Sequence, residues 1–265
     1  MKSFSNLQIT FAVLVVLMSG CVSIRRDSAL NSDSSVATIT VTRDVRVTQS
    51  ESSMQVDTKL QELLSTSNQV VLDEFSDNRG NWLSGKEESD FKQEVASLGP
   101  DTYEIKANAK SAFIERIYPQ NYADIDASKG VYAAVDVKMQ TDAEEASIGI
   151  CLYGKLKDSK EVSEYILQIQ KGKYKLVSRI RGVGKTLIGL TNSTLIRPDV
   201  YNRVAISFDK GVLSVFINDQ YVTQIESSDG KDIASLSPGL SLGLSRKGDK
   251  GTFEFDNYEV RSLQK

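Results

Sequence analysis

Histidine is absent from all 265 residues. That removes Ser-His-Asp and Cys-His nucleophilic catalysis and any zinc site built on imidazole. An enzyme on this chain must work with carboxylates, lysine, tyrosine or a bound metal. Cysteine is nearly absent, with only Cys21 and Cys151. Cys151 lies in the apolar run Ile148-Gly149-Ile150-Cys151-Leu152-Tyr153 with no local base or cation, so it reads as a small buried hydrophobe. The fold is therefore expected to form without a disulfide. Tryptophan occurs once, at Trp82. Positive charge is not in surplus: Lys and Arg number 32 against 35 Asp and Glu, and a net charge of −3 leaves no basic stripe for a nucleic-acid partner. Long apolar runs are missing too. The stretch from Ile9 to Met18 falls well short of the roughly 20 residues that span a bilayer.

What is present begins at the N-terminus. Lys2 supplies a basic start, the Ile9–Met18 run has the length of a signal-peptide h-region, and Met18-Ser19-Gly20-Cys21 follows. These four residues resemble the lipobox of bacterial lipoproteins, with Met18 where Leu is usual. The resemblance implies that residues 1–20 are a removed signal peptide and that Cys21 becomes the acylated, palmitate-bearing N-terminus. The protein would then be a membrane-anchored lipoprotein of the bacterial cell envelope. Val22, rather than Asp, follows the cysteine, which by similarity to enteric lipoproteins implies the outer membrane.

Residues 21–69 are rich in Ser, Thr and Asp and hold no aromatic residue, the composition of a tether. Two pieces within it are patterned. Ile39, Val41, Val45 and Val47 share one face of a strand, and Val56, Leu60, Leu63 and Leu64 share one face of a helix. From residue 70 to 265 short alternating segments recur, such as Val131/Ala133/Val135/Val137, Val204/Ile206/Phe208, Leu213/Val215/Ile217 and Leu240/Leu242/Leu244. Lys171-Gly172, Asp209-Lys210-Gly211 and Asn218-Asp219-Gln220 read as hairpin turns between them. Many short strands with regular turns predict an all-β, antiparallel β-sandwich or barrel.

Three stretches then carry a resemblance: Asp73-Glu74-Phe75 with Asn81-Trp82; Tyr201-Asn202-Arg203-Val204 through Asn218-Asp219; and Pro238–Leu244 with Phe253-Glu254-Phe255-Asp256-Asn257-Tyr258-Glu259-Val260. The chain resembles the concanavalin A-like lectin/glucanase superfamily, and within it is similar to laminin-G-like and 3-keto-disaccharide hydrolase-type domains. The resemblance implies a jelly-roll sandwich over residues 70–265.

Several residue sets are candidates for chemistry. Glu254, Asp256 and Glu259 spell E-x-D-x-x-E, similar to the catalytic signature of one glucanase family of that superfamily, where paired carboxylates flank the scissile bond. On a plain strand Glu254 and Asp256 share a face and Glu259 points away unless a bulge intervenes. Its place as the last strand, rather than mid-sheet, favours a closing-strand motif, so no catalytic residue is assigned. Asp124, Asp126 and Ser128 place alternate oxygens on a loop, as a structural Ca²⁺ requires. By analogy with the superfamily, Asp73, Glu74 and Asp256 form a second calcium candidate. Trp82, Tyr118 and Tyr122 are the candidate sugar platforms, since a pyranose face stacks on an aromatic ring, with Tyr153 and Tyr201 as alternatives. Gly182-Val183-Gly184-Lys185-Thr186 lacks the first glycine of a phosphate loop, which falls on Arg179, and reads as a turn.

The expectation is a non-catalytic module that binds a carbohydrate or envelope component. The alternatives are a glycoside hydrolase of the 3-keto-disaccharide hydrolase type and a structural protein of an envelope complex, with a glycan or envelope protein as partner.

Overall fold

The computed structural model describes residues 49–157 and 162–264, with side chains from Thr58 onward apart from those at 228 and 229. The signal-like segment, Cys21 and the strand pattern at 39–47 lie outside the described residues. A helix, α1 (Gln49–Thr66), precedes β1 (Asn68–Asp73), β2 (Gly85–Glu88), β3 (Lys92–Leu98), β4 (Tyr103–Ala109) and β5 (Phe113–Ile117). There follow β6 (Ile125–Asp126), β7 (Val131–Gln140), β8 (Ser147–Leu156), β9 (Val162–Gln170), β10 (Lys173–Ile180) and β11 (Val183–Asn192). The chain closes with β12 (Asn202–Asp209), β13 (Val212–Ile217), β14 (Gln220–Glu226), β15 (Ile233–Leu244) and β16 (Lys250–Ser262).

The strands form two antiparallel sheets. The larger runs β14-β13-β12-β7-β16-β4-β3-β2, and the smaller β11-β10-β9-β8-β15-β5 with β6 also on β15. Along β16, β4 pairs with Lys250–Phe255 and β1 takes over at Tyr258–Ser262. The chain passes repeatedly from one sheet to the other, as between β7 and β8 or β15 and β16, which makes a jelly-roll sandwich.

Period-2 alternation decides what lies between the layers. Val131, Ala133, Val135 and Val137 of β7 face Ile148, Ile150 and Leu152 of β8 within one continuous core. Phe253, Phe255, Tyr258 and Val260 of β16 join the same core. Three tight hairpins fix the register. Arg181-Gly182, Lys210-Gly211 and Asn218-Asp219 each place two successive residues at positive φ, the conformation of a type I′ turn that suits the right-handed twist of the flanking strands.

Two further devices tie the sandwich together. Lys92 on the inner side of β3 is buried between Glu94 (2.9 Å) and Glu115 of β5 (2.7 Å), an ion-paired staple from one sheet to the other. Helix α1 lays Leu60, Leu63 and Leu64 over the outer side of the larger sheet, onto Tyr132, Ala134, Ala205 and Phe216. Lys59 adds a contact 3.9 Å from the Tyr221 ring centre and donates to Gln224 at 2.7 Å. Leu60, Leu63 and Leu64 of the helical pattern read in the tether therefore pack against the sheet, and the Val56 side chain lies outside the described ones.

Candidate functional site

The E-x-D-x-x-E run is where the structure departs most from the plain-strand expectation. The register of β16 on β7 slips between Asp256 and Glu259, and Asn257 takes a φ of 48°. This bulge inserts one residue, so Phe255 and Tyr258 both stay in the core while Glu254, Asp256 and Glu259 all emerge on the outer face. The expected off-centre position is also corrected. β16 is last in the chain but lies mid-sheet, between β7 and β4.

Each glutamate is already engaged. Lys138 of β7 ion-pairs with Glu254 at 3.1 Å, and the Tyr201 hydroxyl donates to it at 2.9 Å. Burial, and then that hydrogen bond, push the Tyr201 phenol up to about 12. Glu259 is held by Arg203 and, at 2.6 Å, by Arg261. Arg203 also meets Asp136 at 3.3 Å and donates to the Asn257 carbonyl at 3.4 Å, so it clamps the bulge. Asp256 stands opposite Asp136 across the strands. Its burial, with Asp136, Asp101 and Glu74 nearby, raises its carboxyl above the usual value.

Two grooves lie on the strands of this sheet. One, of about 760 Å³, runs over β2, β3, β4 and β16 past Lys86, Lys106, Asn108, Gln140 and Thr252. The other, of about 610 Å³, is lined by Asp136, Arg197, Tyr201, Arg203, Asn218 and Gln220. Paired Lys, Arg, Asn, Gln and carboxylate groups over an open face form a hydrogen-bonding surface for a polar ligand.

The remaining sequence candidates do not converge there. Trp82 is 1% exposed, in contact with Phe75, Tyr103 and Tyr258, and its indole donates to Asp73 at 2.9 Å. It is a core residue and offers no face to a sugar, which corrects its candidacy as a platform. Tyr122 is half-buried and donates to the same Asp73 oxygen at 2.7 Å. Asp73 itself is fully buried and also accepts from the Phe75 amide, so three protein donors converge on its carboxylate. Asp124 is bound by Lys155, Ser235 and Ser237, whereas Asp126 caps the short turn at Ala127–Lys129 by accepting from the Ser128 amide at 2.9 Å. Among the described residues no group of three or more His, Cys, Asp or Glu is placed to hold a metal ion.

Tyr118 lies on the outer face of the smaller sheet, where it meets Tyr153 edge-on at 5.6 Å. The ring lies over Gly239, where a Cβ would stand 2.5 Å from it. Beside it, Arg116 of β5 reaches Glu164 of β9 at 3.1 Å. These strands are separated by β15 and β8, a gap of roughly 14 Å at ordinary strand spacing, so the pair straps the sheet. In the same row Gln168 donates to Ser241 at 3.0 Å, both fully buried. Cys151 is buried there as expected, and burial pushes its thiol up to about 12. Strands β5, β15, β8 and β9 of the smaller sheet are thus covered by their own side chains, while β11 at its edge is exposed, and the two wide grooves open on the larger sheet. Sequence reading missed Lys138, Arg203 and the Arg116–Glu164 strap, because strand alternation names a face but not a cross-strand partner.

No protein-family model matches the chain, and no curated protein matches it. Solved structures do. The laminarinase catalytic domain of Thermotoga maritima is similar with a TM-score of 0.54 at 10% identity, covering 74% of this chain and 98% of that one. A family GH16 enzyme of a Bacteroides ovatus mixed-linkage glucan system gives 0.54 at 9%, covering 72% and 99%. The κ-carrageenase of Pseudoalteromonas carrageenovora gives 0.50 at 10%, covering 74% and 96%. The fold is therefore the concanavalin A-like jelly roll of GH16 glucanases, as the three sequence stretches imply.

Proposed function

We propose that this protein is a lipoprotein, anchored through Cys21 in the bacterial envelope, most simply the outer membrane, whose jelly roll binds a carbohydrate or carbohydrate-bearing envelope component without cleaving it. The binding surface is the outer face of the larger sheet. One observation carries the reading: the bulge at Asn257 puts three carboxylates on one side of β16, yet Glu254 and Glu259 are each held by cations. Glycoside hydrolysis needs one carboxyl free to give a proton and a second free to attack or to activate water. Glutamates bound to Lys138, Arg203 and Arg261 suit the recognition of hydroxyl groups better than either task. Carbohydrate-active proteins of the same fold support the sugar as ligand class.

The second reading, a glycoside hydrolase, is favoured by Asp256 alone, whose raised proton affinity is a property of a general acid. A glycan array probed with the full chain carrying Cys21→Ser, with calcium and with chelator, tests the first reading, followed by an assay for new reducing ends on each retained glycan. Retention of one sugar class without new ends supports a binding module. New ends that vanish in Asp256→Asn transfer the assignment to hydrolysis. No retention rejects the sugar ligand and leaves an envelope protein as the partner. Loss of retention in chelator assigns a calcium ion to the binding site.

A further inference from the structure

A separate cavity of about 450 Å³ opens where the β10–β11 hairpin meets the β12–β13 turn and the short helical turn at Ser228–Asp232. Among the described side chains, Lys185, Lys210 and Lys231 line it against one acid, Glu226, a positive surplus on a chain whose net charge is −3. Among the described residues none of the three lysines has an ion-pair partner. Two buried serines complete the lining. Ser178 is 2% exposed, and Ser227, 6% exposed, shares a hydrogen bond with the Tyr165 hydroxyl at 2.9 Å.

The lysines are brought together by backbone packing. The Lys210-Gly211 turn accepts the Ser227 amide on the Gly211 carbonyl at 2.7 Å. A Cβ on Gly230 would stand 2.8 Å from the Gly211 Cα, so the two segments meet glycine to glycine, with Lys210 and Lys231 on the rim they form. From the hairpin side Lys185, paired in register with the buried Ser178, is the cation that lines the cavity. Converging ammonium groups repel one another, and an anion among them reverses the sign of that interaction. Ammonium and hydroxyl donors around a half-open cavity match the acceptor oxygens of a phosphate or sulfate.

We propose that this cavity binds a tetrahedral oxyanion, the phosphate or sulfate group of a larger ligand. The proposal is independent of the sugar-binding face. Four probes test it on the full chain carrying Cys21→Ser: inorganic phosphate, dextran sulfate, plain dextran, and phosphatidylcholine vesicles with or without phosphatidylglycerol. The variants are Lys185→Gln with Lys231→Gln, and Lys247→Gln, exposed in the β15–β16 turn outside both the cavity and the grooves, as control, with Trp82 emission reporting that each is folded. The expected result is saturable, salt-sensitive binding of phosphate and of a polyanion, not of plain dextran. The double variant is expected to weaken it at least about tenfold, as loss of charge-assisted hydrogen bonds implies, while Lys247→Gln leaves it unchanged. Dextran sulfate as the retained polyanion marks a glycan ester as the source, and phosphatidylglycerol vesicles mark a lipid headgroup. Failure of every anionic probe, equal binding of plain dextran, or binding that survives the double variant overturns the proposal.

Discussion

Asp73 is fully buried, and three donors converge on it: the Trp82 indole, the Tyr122 hydroxyl and the Phe75 amide. It organises the aromatic core at the head of the domain, a structural role for residues first read as platforms or ligands. Asp73→Ala leaves those donors without an acceptor and should destabilise the fold by about 3 kcal/mol, against about 1 for Tyr122→Phe. Urea unfolding followed by Trp82 fluorescence measures both, and an Asp73→Ala effect no larger than that of Tyr122→Phe would contradict the role. Asp256 gives a pH prediction. Burial and its acidic neighbours raise its carboxyl in the folded state, so the native protein binds this proton more tightly than the unfolded chain. Its contribution to stability must therefore fall as pH rises from the unfolded value of 3.8 through the raised folded one, and stay low above it. Asp256→Asn removes that penalty, so the variant should melt above the wild type at pH 7, with the gap closing toward pH 4. A variant less stable at pH 7 would place Asp256 among the stabilising groups instead.

At the scale of elements, the Lys92 staple is the clearest test of how the two sheets are held. Burial alone would lower the lysine's proton affinity, but Glu115 and Glu94 outweigh it and hold it above its usual value. Lys92→Met leaves two carboxylates facing each other across the β3–β5 gap and should reduce stability by about 3 kcal/mol. Combining it with Glu94→Gln and Glu115→Gln should restore part of that loss in the same unfolding measurement. Elements were also the most legible level in the sequence. Alternation at Val131–Val137 and Leu240–Leu244 marked buried strands, and Lys210-Gly211 and Asn218-Asp219 marked hairpins, because both signals are local. The Asn257 bulge escaped because Asn tolerates positive φ in many settings, and only the demand that Phe255 and Tyr258 both enter the core fixes it there. Lys92 escaped for the opposite reason: its partner Glu115 lies on the other sheet, and no periodicity couples them.

Across the whole molecule the two layers divide the work. Tyr118 and the Arg116–Glu164 strap cover the smaller sheet from β5 to β9, whereas the larger sheet carries α1 at one end and open polar grooves elsewhere. The sequence located the carboxylates of this face but not the cations that hold them, since Lys138 and Arg203 approach only when β7 and β12 pair beside β16. If the outer face of the larger sheet binds a sugar, Tyr201 and Gln140, which line its two grooves, are within reach of the ligand. The decisive measurement is a glycan array comparing the full chain carrying Cys21→Ser with the same chain bearing Tyr201→Ala and Gln140→Ala. The expected result is retention of one sugar class by the first and its loss in the second, with Trp82 emission unchanged. Equal retention by both, or none by either, would contradict it.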